Sequence, residues 1–262
     1  MDWIEALLLG LLQGLTEFLP VSSSGHIELG KAVLRIEAEN SLIFTVVVHG
    51  ATVLSTIVVF RKDILDLFKG LFAFKWNSQT KYIALLVLSM LPAVFVGLFF
   101  EEEVDKLFSG NVLFVGAMLL VTAALLAFTY YAKKTTKKVN AGRAVIIGIA
   151  QALAILPGIS RSGATIATSL FLGVDKEKAT RFSFLMVLLP IIGANLMDLF
   201  RGEVTGNAGI SPVALLVGFV AAFLSGLLAC SWMIKIVKRG KLIYFAAYCL
   251  VVGLVAIIFG LI

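Results

Sequence analysis

Gln13-Gly14-Leu15-Thr16-Glu17-Phe18-Leu19-Pro20-Val21-Ser22-Ser23-Ser24-Gly25-His26 decides how this chain is organised. Apolar runs flank the stretch, yet it holds a glutamine, a glutamate, three serines and a histidine. The chain as a whole is 60% hydrophobic and only 15% charged. At membrane depth such polar groups are costly unless they meet partners, water or a ligand. A second stretch repeats the order: Gln151-Ala152-Leu153-Ala154-Ile155-Leu156-Pro157-Gly158-Ile159-Ser160-Arg161-Ser162-Gly163-Ala164-Thr165. In both, a Gln is followed by apolar residues, a Pro, a Ser cluster and a Gly. Gln13 to Gly25 and Gln151 to Gly163 span the same distance. The two stretches are expected to face each other and to make one site.

The bulk numbers exclude the soluble classes. A mean hydropathy of +1.03 over 262 residues describes a polytopic membrane protein rather than one or two soluble domains. The net charge of +6 would suit a nucleic-acid binder. The Lys and Arg residues, however, sit in short loops between apolar spans and form no basic face, so no nucleic-acid partner is expected. Cys230 and Cys249 lie inside apolar segments and read as packing residues. The first thirty residues lack a basic leading region and a small-x-small cleavage site, so they read as part of the mature protein.

Six stretches reach the roughly 20 residues that a bilayer crossing needs: 41–60, 82–100, 112–131, 182–200, 212–234 and 242–262. Two others, 3–30 and 143–173, each hold two apolar pieces too short to span, broken near Pro20 and Pro157. Such a pair reads as a re-entrant hairpin. The expected fold is therefore an all-α integral membrane protein. Six transmembrane helices and two re-entrant helical hairpins form an inverted repeat in a single membrane domain. Repeat one covers 1–131 and repeat two covers 143–262. An odd number of spans per unit inverts the second copy, and interrupted segments at corresponding positions point to a site near the midplane.

Charge sets the orientation. The loops 61–81, 133–143, 176–181 and 235–241 carry seventeen Lys and Arg residues, whereas 31–40, 101–111 and 201–211 carry four. The positive-inside rule puts the first set in the cytoplasm. Both termini and the acidic Glu101-Glu102-Glu103 loop are then expected outside.

Arg161 is the one basic residue outside these loops, and a guanidinium at membrane depth needs an anion. It follows the Pro157-Gly158 turn, and Ser160 or Ser162 is suited to cap the helix that starts there. Free N–H groups, hydroxyls and the helix dipole make an anion cradle. Ser22, Ser23 and Ser24 repeat the design after Pro20. Two such helix starts favour a phosphate or pyrophosphate over a carboxylate. Glu17, one turn after Gln13, could share a divalent cation with substrate phosphates or act as a base. His26 and Ser23 compete for the roles of nucleophile and acid–base catalyst. Together Glu, His, Ser and Arg supply what phosphoryl transfer requires.

These motifs resemble those of the undecaprenyl-pyrophosphate phosphatase family, the integral-membrane type linked to bacitracin resistance. The first is Gln-x-x-x-Glu followed by Pro-Val-Ser-Ser-Ser-Gly-His. The second, Pro-Gly-Ile-Ser-Arg-Ser-Gly-Ala-Thr, matches at every fixed position from Pro157 to Thr165. The resemblance covers the whole chain. It implies hydrolysis of undecaprenyl pyrophosphate to undecaprenyl phosphate and inorganic phosphate, which recycles the lipid carrier for peptidoglycan and other envelope polymers. It implies Glu17, Ser23, His26 and Arg161 as the active-site set, with Gln13, Ser22, Ser24, Ser160, Ser162 and Thr165 around the substrate. It also implies a divalent cation, Mg2+ or Ca2+, on Glu17, and a bacterial plasma membrane protein whose site opens to the outer face. Gln13 stands where the family also allows Glu, which leaves one carboxylate for the metal.

The plainer readings are local. His49, inside an apolar span, reads as a hydrogen-bonded structural histidine. Asn195 and Asp198 receive no role. Gln13 and Gln151, equivalent in the two stretches, are expected to help tie the hairpins together. Membrane lipid is the surrounding partner. A homodimer is compatible with the sequence, though no feature demands one. The rival function is a transporter or flippase of a phosphorylated lipid that uses the same midplane anion site.

Overall fold

The computed structural model describes residues 1–34, 42–100, 103–104, 111–132, 135–200 and 210–261. Glu101, Glu102, Arg35, Lys106, Lys133, Lys134 and Arg201 lie outside the described residues, as does the side chain of Asp198. The described elements are helical apart from one isolated bridge between Lys137 and Val174.

The first broken stretch forms α1 (Trp3–Phe18) and α2 (Ser23–Leu34). Asp2 starts α1 with a capping box, accepting from the Ile4 and Glu5 amides while Glu5 bonds back to the Asp2 amide. Pro20 lacks an N–H to continue the ladder, and Ser22 takes the left-handed conformation (φ 71°), so the chain turns sharply into α2. The second broken stretch forms α7 (Ala141–Leu153) and α8 (Arg161–Phe171), with Ser160 capping α8. Gly158 supplies the turn at φ 98°.

Between the hairpins run α3 (Leu42–Val59), α4 (Arg61–Leu71), α5 (Ser78–Phe99) and α6 (Val112–Phe128), the last continued by a 3-10 turn over Thr129–Tyr131. After the second hairpin come α9 (Lys176–Met186), α10 (Leu188–Phe200), α11 (Pro212–Arg239) and α12 (Ile243–Leu261). Five helical segments are long and apolar enough to cross a membrane: Ser78–Phe99, Val112–Tyr131, Lys176–Met197, Pro212–Arg239 and Ile243–Leu261. Helices α3 and α4 meet the same test only when taken together, and the chain bends by 76° between them. The protein is a multi-pass membrane protein.

Three local differences from the sequence reading have physical causes. The stretch 61–81, expected as loop, holds α4, a helix without a single buried residue. Its exposed Leu65, Phe68 and Leu71 lie on a helix that also carries Arg61, Lys62 and Lys69. That composition suits a helix in the interface plane rather than across it. The basic 176–181 segment, also expected as loop, is the first turn and a half of α9, because Asp175 accepts from the Glu177 and Lys178 amides and caps it. At the other end, α11 runs past Ile234 to Arg239 and stops at Gly240 in the left-handed conformation.

Packing places the two hairpins among spans from the opposite half of the chain. α1 lies along α11, α7 lies along α5, and α6 pairs with α12. The α1–α11 approach depends on small residues. A Cβ on Gly14 would stand 2.4 Å from the Ala222 carbonyl oxygen and still nearer the Ser225 hydroxyl. The largest buried cluster among the described residues gathers Phe18 and Ile166 of the hairpins with Phe182, Phe184, Met186 and Met233.

Candidate active site

Glu17 sits in the last turn of α1, just before Pro20 breaks the helix, and its side chain is 7% exposed. Oε2 accepts from Ser23 Oγ at 2.6 Å and from Gln13 Nε2 at 3.0 Å. Oε1 accepts from the Arg161 guanidinium at 3.0 Å, across 144 residues of sequence. His49 on α3 brings its Nε2 to 4.0 Å from Oε2. Local geometry explains the set. Gln13 and Glu17 are one turn apart on α1, the Pro20 break folds Ser23 back onto the carboxylate, and the Ser160 cap begins α8 at Arg161.

The tips are joined by hydroxyls. Ser22 Oγ accepts from the Gly158 amide and from the Gly25 amide, both at 3.2 Å. Ser162 Oγ donates to the Leu19 carbonyl at 3.3 Å. Thr122 of α6 donates to the Gly158 carbonyl and accepts from the Ser160 amide. Thr165 donates to the Arg161 carbonyl and meets Ser183 Oγ at 2.5 Å, which binds α8 to α9.

A narrow cleft, with room for about 20 Å³, opens from this centre. Glu17, Arg161, Ser162, Ser183, Thr52 and Thr56 form its polar part, and Phe18, Phe184, Leu188 and Ile191 its apolar wall.

The structure thus brings Gln13, Glu17, Ser23 and Arg161 together, and it joins the two broken stretches at one place. It sorts the remaining candidates. Ser22, Ser160 and Thr165 are buried, with their hydroxyls engaged in holding the tips. Ser24 is half-buried beside Ser22, 3.4 Å between hydroxyls. His26 is turned away from Glu17. Its Nδ1 bonds the Ser22 carbonyl at 2.8 Å, and its Nε2 meets the Tyr248 hydroxyl at 2.9 Å, the two rings stacked 5.6 Å apart. Gln13 and Gln151 do not bond each other. Gln13 bonds Glu17, and both polar atoms of Gln151 are buried without a partner.

Sequence reasoning missed two neighbours. Tyr248 lies in a continuous apolar span, where a tyrosine carries no signal of its own. His49 was legible as a mid-span histidine hydrogen-bonded within its helix, and it does bond the Thr45 carbonyl. That it also faces Glu17 follows only from the packing of α3 beside α1.

Among the described residues no group of three or more His, Cys, Asp or Glu side chains could hold a metal. The centre still fits a divalent cation that keeps most of its ligands as water and substrate phosphate. Glu17 supplies one carboxylate, and the adjacent Gln13 Oε1 is buried without a hydrogen-bond partner.

The sequence profile of the family described as bacitracin resistance protein BacA matches residues 6–255. Over 262 aligned residues the chain is 59% identical to the undecaprenyl-diphosphatase of Christiangramia forsetii, covering 99% of both chains. It is 56% identical to the undecaprenyl-diphosphatase of Bacteroides fragilis, covering 98% of both. With that of Desulfatibacillum aliphaticivorans it shares 41% identity over 97% of each chain.

Proposed function

The chain belongs to the bacitracin resistance protein BacA family, and from that premise we propose that it hydrolyses undecaprenyl pyrophosphate to undecaprenyl phosphate and inorganic phosphate. The observation that carries the reading is the line Ser23–Glu17–Arg161: a hydroxyl, a carboxylate and a guanidinium in hydrogen-bond contact, drawn from both hairpins. Transport of the same substrate needs the anion site alone. It gives no reason to hold a serine hydroxyl 2.6 Å from a carboxylate.

Arg161 and the starts of α2 and α8 receive the pyrophosphate, with Ser24 and Ser162 beside it. The prenyl chain lies along Phe18, Phe184, Leu188 and Ile191. Ser23 Oγ forms a bond to the terminal phosphorus while its proton passes to the Glu17 carboxylate. The bridging P–O bond breaks, and the departing undecaprenyl phosphate takes the proton from Glu17. A water then attacks the phosphoserine and gives its proton to Glu17, which returns it to Ser23 as inorganic phosphate leaves. Ser23 is preferred over His26 as nucleophile because both ring nitrogens of His26 already have partners. His26 and Tyr248 instead stiffen the start of α2. Glu17 and Gln13 Oε1 would hold a divalent cation, Mg2+ or Ca2+, which when bound offsets the charge that builds on the phosphates.

The same reading takes 1–131 and 143–262 as inverted copies. Support comes from the reciprocal packing of α1 on α11 and α7 on α5, the second spans of the opposite halves. It also puts both termini outside on the strength of the Lys and Arg asymmetry between loops, and family membership supports a bacterial plasma membrane and a cleft that opens outward.

Phosphate release from undecaprenyl pyrophosphate by the purified protein in detergent tests this, with and without Mg2+ or Ca2+. Metal-dependent release that Glu17→Ala and Arg161→Ala both abolish is expected. No release from folded wild type would move the assignment to transport. Release that survives both substitutions would place the chemistry elsewhere in the molecule.

A further inference from the structure

His49 has the hydrogen-bonding pattern of a metal ligand. Its Nδ1 lies 2.9 Å from the Thr45 carbonyl oxygen, which can only accept, so Nδ1 carries a hydrogen. The Nε2 of the neutral ring then carries a lone pair and lies 4.0 Å from Glu17 Oε2, itself an acceptor. Two acceptors at that separation leave room for a cation between them. A direct imidazolium–carboxylate bond would close to about 2.7–2.9 Å. The observed gap is too wide for that, and it is within the ~4.2 Å that two metal–ligand bonds of about 2.1 Å can span. Metal-bound histidines commonly donate their other ring N–H to a backbone carbonyl or carboxylate, which fixes the ring as Thr45 does here.

We propose that His49 Nε2 and Glu17 Oε2 together bind the divalent cation, His49 supplying the second protein donor in a site with one carboxylate. The inference rests on the cation reading given above and names a ligand for it. Gln13 is placed to make a third donor. Its Nε2 now bonds Oε2, and a half-turn of the amide would present the unpartnered Oε1 at the same spot. An imidazole donor matters for metal choice. Mg2+ and Ca2+ prefer oxygen ligands, whereas imidazole favours later first-row ions. This site should therefore bind Co2+ or Zn2+ in preference to Mg2+ by a wider margin than an all-oxygen site.

The test uses Mn2+ as a spin probe on the intact protein in detergent, with pulsed EPR to detect nitrogen coupled to the bound ion. The chain has two histidines, so the isotope can be assigned cleanly. Expected are nitrogen modulation on bound Mn2+, its change to the 15N pattern in protein made with 15N-histidine, its persistence in His26→Asn and its loss in His49→Gln. His49→Gln should also weaken Mn2+ binding at least ~10-fold. Mn2+ that binds, is lost in Glu17→Gln and shows no nitrogen coupling would overturn the role of His49 and leave the cation site standing. Absence of any Mn2+ binding sensitive to Glu17→Gln would overturn both.

Discussion

Four side chains converge on the carboxylate of Glu17, and they are not interchangeable. Arg161 presents a planar fork that can hold Glu17 and a phosphate oxygen at once, which a lysine cannot do. Arg161→Lys should therefore lower kcat/KM by about 10²-fold or more despite the conserved charge, read from steady-state phosphate release. Ser23→Ala removes the hydroxyl beside Oε2 and should reduce kcat at least ~10³-fold with KM little changed. A variant that retained wild-type kcat would return the nucleophile to His26. Ser22 acts by accepting two buried amides, one from each hairpin. Ser22→Ala leaves both without partners and should cost ~1–3 kcal/mol, seen as a lower unfolding midpoint in detergent. That Glu17, Ser23 and Arg161 belong to one place was legible because charged or hydroxyl groups in apolar runs have few uses. Ser22, Ser160 and Thr165 were not separable from them. A hydroxyl that ties backbone and one that meets substrate look alike until their partners are known.

At the level of elements, each hairpin is a pair of short helices made possible by one break. Gly158 shows the tolerance. A Cβ there would approach the Val115 carbonyl to 2.5 Å and Met118 Cβ to 2.6 Å, at a φ of 98° that side chains avoid. Gly158→Ala should lose both activity and thermal stability, because α6 would have to move from the tip. Normal unfolding in that variant would mean the tip is looser than its contacts imply. The breaks at Pro20 and Pro157 were visible as interrupted hydropathy, with an apolar piece too short to span on either side. The α3–α4 bend was not, because Arg61 and Lys62 read equally well as loop. Only the exposed Leu65, Phe68 and Leu71 of the folded helix separate an in-plane helix from a loop.

Across the whole molecule, the long helices keep apolar side chains outward, among them Phe95, Leu98, Leu224, Leu228, Val255 and Ile258. This belt was legible as composition alone. Which helices touch was not, since α5, α11 and α12 are apolar nearly all round and carry no single marked face. Sidedness can be checked directly, because Cys230 and Cys249 are both buried. In intact cells an impermeant maleimide should label Val33→Cys, whereas Lys137→Cys should label only after lysis; the reverse pattern would invert the orientation. The embrace of α1 by α11 has a further consequence for how the protein is made. α1 finds its seat only when residues 212–239 have followed it out of the ribosome. Until residue 161 has been made Glu17 lacks its guanidinium partner, and until residue 225 has been made the Leu11 carbonyl lacks the Ser225 hydroxyl. Biogenesis therefore needs a holding place for that hairpin, at the insertion machinery or the membrane surface, through most of translation.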